Sequence, residues 1–321
     1  MTTQNQTETS FTTAALENLT FGIEIETVGV SRPSLSAAVA RALVASGRDC
    51  RVEHGGGAVR LADGREWLVV RDGSLPTDVS GEVVSPILKG TADMEMVQVV
   101  VRGLREAGAR SSAAECCGIH VHVGIKQFTP VQVAAVTRVA AKSDRLLRGC
   151  AKPSASRTRW CPVPPTAMVR RMANATTWEQ VASAWYGPRV NVRDAASSHY
   201  HQSRYCGVNL HSFFYTTTHR WNDAVSPGRG TLEFRYFDGT LHAGKIRAYI
   251  TLCLAVVAKG LSAAPTWRGA ALTDLDTTAT RADVDTLLRT AFGLTGPTHG
   301  AVREHITAAW ESNATAEAVA A

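Results

Sequence analysis

No apolar run in this sequence is long enough to cross a bilayer, and its first residues carry neither the basic start nor the apolar core of a secretory signal. Both absences point to a cytoplasmic protein with no membrane partner. In that setting the Asn-x-Ser/Thr sequons at Asn18, Asn174 and Asn313 carry no weight. No Cys-x-x-Cys occurs among the seven cysteines (50, 116, 117, 150, 161, 206 and 253). Their odd number and the adjacency of Cys116 and Cys117 suit neither a disulfide framework nor a tetrahedral zinc site, so reduced and mostly buried thiols are expected. No Lys/Arg run of five or more appears, although net charge is +6 and the pI is about 9.1. A nucleic-acid groove is therefore not signalled, and the basic balance suits a phosphate-bearing small molecule equally well. A Rossmann fingerprint is missing. Gly239-Thr-Leu-His-Ala-Gly-Lys245 has the spacing of a P-loop, but Ile246 stands where a Mg²⁺-binding hydroxyl is required, so it reads as a turn into a helix.

What is present is ordinary in bulk: 321 residues, 45% hydrophobic and 19% charged, with no internal repeat and no clean linker. One domain is expected over residues 19–312, behind a disordered Thr/Gln/Asn-rich leader (1–18) and before a flexible Ala-rich tail (313–321). The stretch Leu19 to Gly29 alternates with period two, as a strand does, with Phe21, Ile23 and Ile25 on one face and Glu24 and Glu26 on the other. A helix is expected over 34–46, then turns or a loose hairpin over 51–65, a strand over 66–72, a short strand from Gly81 to Pro86 and a helix over 91–107. Gly118 to Gly124 is a second alternating strand, with His120 and His122 sharing a face. Pro130 to Arg148 reads as one long helix, 150–171 as a basic, proline-rich loop, and 177–186 as a short helix. Tyr205 to Phe213 reads as a third strand, pairing Asn209 with His211, and Thr231 to Phe237 as a fourth. On that fourth strand Leu232, Phe234 and Tyr236 oppose Glu233 and Arg235. Helices over 242–261, 281–292 and 299–311 close the domain.

Four strands thus each place a pair of chemically capable residues on one face: Glu24/Glu26, His120/His122, Asn209/His211 and Glu233/Arg235. An amphipathic sheet with one wet face gives the same alternation. Wet faces are usually mixtures of Thr, Ser, Lys, Glu and Arg, however, and these hold Glu, His, Asn and Arg. Two neighbouring carboxylates repel, and losing water raises the cost of ionising both, so a cation is expected over them. Carboxylates with an occasional imidazole suit Mg²⁺ or Mn²⁺, and arginines beside such a metal suit phosphate. Metal, phosphate and arginine together are the equipment of phosphoryl transfer.

Six motifs in order sharpen this: Phe21-Gly-Ile-Glu-Ile-Glu26, Asp72-Gly-Ser-Leu75, Glu82-Val-Val-Ser-Pro86, Cys117-Gly-Ile-His-Val-His122, Arg204-Tyr-x-x-Val-Asn-Leu210 and Thr231-Leu-Glu-Phe-Arg235. Over roughly residues 19–260 the chain resembles the amidoligase family, part of the carboxylate–amine ligase superfamily with glutamine synthetase and glutamate–cysteine ligase. The resemblance implies an α+β fold: a curved antiparallel sheet of the glutamine-synthetase catalytic type with helices packed on its outer face. It also implies ATP-dependent amide formation through an acyl phosphate, with Glu24, Glu26, Glu82, His120 and Glu233 as ligands of Mg²⁺ or Mn²⁺. By the same resemblance His122, Asn209 and His211 lie near nucleotide or metal, Arg204 and Arg235 face the transferred phosphoryl group, and Asp72 and Ser74 border the acceptor or amine site. The separate N-terminal domain of glutamine synthetase has no counterpart here, so ammonia is not implied as the amine. An amino acid, peptide or protein side chain fits as a substrate, and the oligomeric state is open. Two other classes compete: a metal-dependent hydrolase using the same Glu/His cluster, and a phosphate- or nucleic-acid-binding protein without catalysis.

Overall fold

The structure is a computed structural model that describes residues 17–75, 79–215, 228–262 and 279–320. Among the described residues, nine strands form one open, wholly antiparallel sheet: β1 Thr20–Val28, β2 Cys50–Glu53, β3 Ala58–Leu61, β4 Glu66–Val70, β5 Ser80–Val84, β6 Leu88–Lys89, β7 Gly118–Gly124, β8 Val208–Asn209 and β9 Thr231–Asp238. Their order is β2-β3-β4-β5-β1-β7-β9-β8, with β6 beside the start of β1. Among the described residues the helices that pack with it are α1 Arg32–Ala45, α2 Gly90–Glu106, α3 Pro130–Lys142, α4 Asp144–Ala151, α5 Ala155–Trp160, α6 Thr166–Met172, α7 Trp178–Tyr186, α8 Val192–Ser197, α9 His211–Phe214, α10 Ala243–Ser262, α11 Arg281–Thr290 and α12 Gly300–Ala320. The chain is thus α+β, a curved antiparallel sheet with helices on its apolar face.

The alternation in the strands explains the layering. Ile23 and Ile25 of β1, Ile119, Val121 and Val123 of β7, and Trp67 and Val83 of β4 and β5 are buried on one face. Against them lie Leu35, Val39 and Leu43 of α1, Val97, Val100 and Leu104 of α2, and α10, which is buried nearly all round because α2, α3 and α12 flank it. Gly103 lets α1 and α2 approach closely, since a Cβ there would strike Ala42. The segment from α4 to α9 packs beside the β8–β9 edge, with α4, α5 and α9 all touching β9.

Several sequence expectations change. The loose hairpin over 51–65 is a regular β2–β3 ladder pairing Cys50 with Leu61. The long helix from Pro130 breaks at Ser143, whose hydroxyl bonds back to the Val139 carbonyl. The 150–171 loop contains the helix α5 and the start of α6. The strand expected over 205–213 is only Val208–Asn209, because the Asn209 Oδ1 takes the His211 N–H and turns the chain into α9. On β9 a bulge sets Arg235 and Tyr236 together opposite His120, so Phe237 rather than Tyr236 joins Phe234 in the core row. Phe237 stacks on Tyr249 of α10 at 4.2 Å between ring centroids, and the Tyr236 hydroxyl donates to Asp144. The final helix continues to Ala320, and residues 1–16 of the expected leader lie outside the described residues. Among the described residues no helix is long and apolar enough to cross a membrane, and the seven cysteines are all free.

Candidate functional site

Strand register brings the acidic pairs together. Glu24 of β1 lies opposite His120 of β7, Glu26 opposite Glu82 of β5, and His122 opposite Glu233 of β9. Asn209 of β8 faces Glu233 from the other side. Like charges directly opposite on neighbouring strands destabilise a ladder, yet Glu26 and Glu82 are so placed.

His120 stands at the centre, only 4% exposed. Its Nδ1 is 2.9 Å from Glu24 Oε2 and 3.7 Å from Glu233 Oε1, and its Nε2 is 3.7 Å from Glu26 Oε1. His122 Nε2 approaches Glu24 Oε1 at 3.2 Å, while its Nδ1 meets the Thr231 hydroxyl. Glu26 accepts the Gly118 N–H at 2.6 Å. Glu233 accepts from Asn209 Nδ2 at 2.6 Å and from Arg235 Nη1, and the buried Arg235 Nε has no hydrogen-bond partner among the described residues. Asn209 therefore positions Glu233 and joins it to the first turn of α9.

The electrostatics divide the carboxylates into two kinds. Burial raises the Glu24 carboxyl, but His122 and His120 more than offset this and hold it well below the usual range. Glu233 is likewise pushed up by burial and pulled down, mainly by Arg235, to about 2. Burial lowers the His122 imidazole, and Glu24 and Glu233 more than offset it, leaving it raised. Glu82 has no such help: burial and the carboxylates of Glu24, Asp72, Glu26 and Glu233 push it up to about 9. A cation placed beside Glu82 would lower it. Two sets of three ligand atoms, Glu24/His120/Glu233 and Glu26/Glu82/His120, each lie within 4.8 Å of one another. Two carboxylate oxygens with one imidazole nitrogen in each set fit a hard or borderline divalent ion.

All five residues named as ligands thus stand together with Arg235, His122 and Asn209. Asp72 is near enough to act on Glu82, and its Oδ1 accepts the Ser74 N–H at the end of β4. Two residues make their side-chain hydrogen bonds elsewhere. His211 belongs to α9 rather than a strand, and its Nδ1 meets the Tyr186 hydroxyl at 2.8 Å. Burial is the main reason that its pKa falls to about 4. Arg204 is half-buried on the rim, donating to the His199 carbonyl and lying over the Tyr200 and Tyr205 rings.

One residue was missed by sequence reasoning. Arg157 of α5 is 5% exposed, and its guanidinium reaches His120 Nε2 at 3.4 Å and Glu26 Oε2 at 3.7 Å. It passes over Gly118, where any Cβ would collide with it. The sole signal was a glycine two residues before His120.

The family model for "Putative amidoligase enzyme" matches residues 17–257. The chain belongs to the amidoligase family, and so to the ligases of the carboxylate–amine type. Among solved structures it is similar to a novel glutamine synthase homolog at 13% identity and a TM-score of 0.42, covering 98% of this chain and 71% of that one. It is similar at the same identity and score to GmaS in a complex with ADP, covering 96% of this chain and 74% of that one. A comparison with curated proteins finds no match.

Proposed function

We propose that the chain is an ATP-dependent ligase that joins a carboxylate to an amine through an acyl phosphate. One observation carries this reading: four carboxylates, His120 and Arg235 converge on one sheet face in a chain matched by the amidoligase model over 17–257. The cluster of Glu24, Glu26, Glu82, His120 and Glu233 would supply the ligands of Mg²⁺ or Mn²⁺, drawn from one or both of its two sets, and the ion would neutralise phosphate oxygens.

The chain's own residues account for the remainder. Glu233 and Arg235 leave the same face of β9, so one strand presents a metal ligand beside a guanidinium. The unpartnered Arg235 Nε gives that guanidinium a free donor for a phosphoryl oxygen. Asn209 holds Glu233 from β8, and the Gly118 amide holds Glu26 from β7, so both carboxylates are oriented before substrate arrives. The substrate carboxylate oxygen attacks the γ-phosphorus, its bond to the β,γ-bridging oxygen breaks, and ADP leaves. The amine nitrogen then attacks the acyl carbon, phosphate departs, and the nitrogen loses a proton. Asp72 and Ser74, beside Glu82, border the space for the acceptor or amine. The substrates are an amino acid, peptide or protein side chain.

The test is incubation with ATP, Mg²⁺ and mixtures of acids and amines, with products identified by mass spectrometry. The expected result is ADP, phosphate and an amide in equal amounts, only when both an acid and an amine are present. An amide or ester cleaved at the same rate without ATP would instead identify a hydrolase.

A further inference from the structure

Of the two ligand sets, one already contains a positive charge. Arg157 Nη1 faces His120 Nε2 at 3.4 Å, and Nη2 lies 3.7 Å from Glu26 Oε2. Metal–nitrogen bonds are about 2 Å long, so an ion on Nε2 would need the space that the guanidinium fills. The arrangement is built rather than incidental. Ser154 caps α5 and is gripped by Asp238, the last residue of β9, through its N–H at 2.7 Å and its hydroxyl at 2.8 Å. Asp238 pairs with Gly118, whose missing side chain leaves the channel that Arg157 occupies.

We propose that Arg157 is the resident cation of the Glu26/Glu82/His120 set, and that the exchangeable divalent ion binds only at Glu24/His120/Glu233. His120 is shared by both sets, and a neutral imidazole has one lone pair, so it serves one ion at a time. With an ion on Nδ1 the ring proton would move to Nε2, which would then stop accepting from Arg157 Nη1 and donate toward Glu26 Oε1, 3.7 Å away, while the guanidinium keeps Glu26 Oε2. Arg157 is thus a positioning residue that sets how many ions the site takes.

This rests on the cluster being a divalent-cation site, and the test separates the two claims. Metal-stripped full-length protein is titrated with Mn²⁺ alone, without nucleotide, and bound ion is measured by electron paramagnetic resonance. The parent is expected to bind about one Mn²⁺ per chain and Arg157→Met about two, the second held by the carboxylates of Glu26 and Glu82 without His120. Gly118→Ala, which pushes the guanidinium out without removing it, should also gain the second ion, and it serves if Arg157→Met does not fold. Equal stoichiometry in parent and folded variants, or two ions in the parent, would overturn the role of Arg157 alone. No Mn²⁺ bound by any of them would overturn the metal site as well.

Discussion

Glu82 offers the sharpest physical test. Its carboxyl is pushed up to about 9, first by burial and then by Glu24, Asp72, Glu26 and Glu233. In the unfolded chain it titrates near its ordinary value. A folded-state pKa above the unfolded one gives stability that is full below the unfolded pKa and is lost as pH rises toward the folded one. At pH 7.5 the folded carboxyl stays protonated about three units above its unfolded pKa, at about 1.4 kcal/mol per unit, a cost of about 4 kcal/mol. Glu82 is partly open to water, which trims this to about 2–4 kcal/mol. Glu82→Gln keeps the shape and removes the titration. Metal-stripped Glu82→Gln should therefore be about 2–4 kcal/mol more stable than the parent at pH 7.5, with the difference vanishing near pH 4.5. Saturating Mg²⁺ should narrow it, because an ion at Glu24 and Glu233 offsets two of the carboxylates that raise Glu82 in the parent. Urea unfolding of both proteins across pH 4.5–8.5, with and without Mg²⁺, measures this. Parallel stability curves in metal-free buffer would refute the crowding of carboxylates at Glu82.

The same geometry sets three other outcomes. Arg235→Lys keeps a charge but loses the planar, bidentate contact, so turnover should fall about a hundredfold or more with the fold intact; a parent rate of ADP formation would remove Arg235 from the chemistry. Glu24→Gln combined with Glu26→Gln should abolish turnover while circular dichroism stays unchanged, since volume is kept and two charges are removed; retained activity would place the chemistry elsewhere. His211, lowered to about 4 chiefly by burial, is neutral when folded while the unfolded imidazole charges near 6.5, so stability should be lost as pH falls from about 6.5 to 4. Replacing it with Gln should flatten that limb of the unfolding profile, and an unchanged slope would show that His211 charges freely in the fold.

Period-two alternation made the chemistry of single strands legible. Glu24/Glu26, His120/His122 and Glu233/Arg235 share the faces their parity requires, because β1, β7 and β9 are long enough for ladder bonds to hold the pattern. Parity says nothing about which strands are neighbours. The pairing of Glu26 with Glu82, and of His122 with Glu233, depends on the strand order β5-β1-β7-β9, which is settled by long-range packing. His211 fails for a local reason: Asn209 competes with the ladder by taking the His211 N–H, and alternation past that point means nothing. Tyr236 fails because a bulge adds one residue and shifts the parity of every later position on β9.

Arg157 shows why the most informative residue was hidden. In sequence it sits in a basic stretch, Arg157-Thr-Arg-Trp160, where every arginine looks solvated. In the fold Arg159 is exposed while Arg157 is buried against Glu26 and His120. The difference lies in its partner Gly118, whose bare backbone accepts a guanidinium that no other residue would admit. The same consideration weighs against a merely wet sheet face. Glu26, His120, Asn209, Glu233 and Arg235 are each no more than 6% exposed, whereas a solvated ladder leaves its charges in water. Crowding four carboxylates, of which Glu26 and Glu233 are buried, is unfavourable unless cations offset it, and the guanidiniums of Arg157 and Arg235 offset only part of it. That residual negative charge, enclosed and pre-oriented, is what a solvated face lacks and a metal-bound phosphate requires.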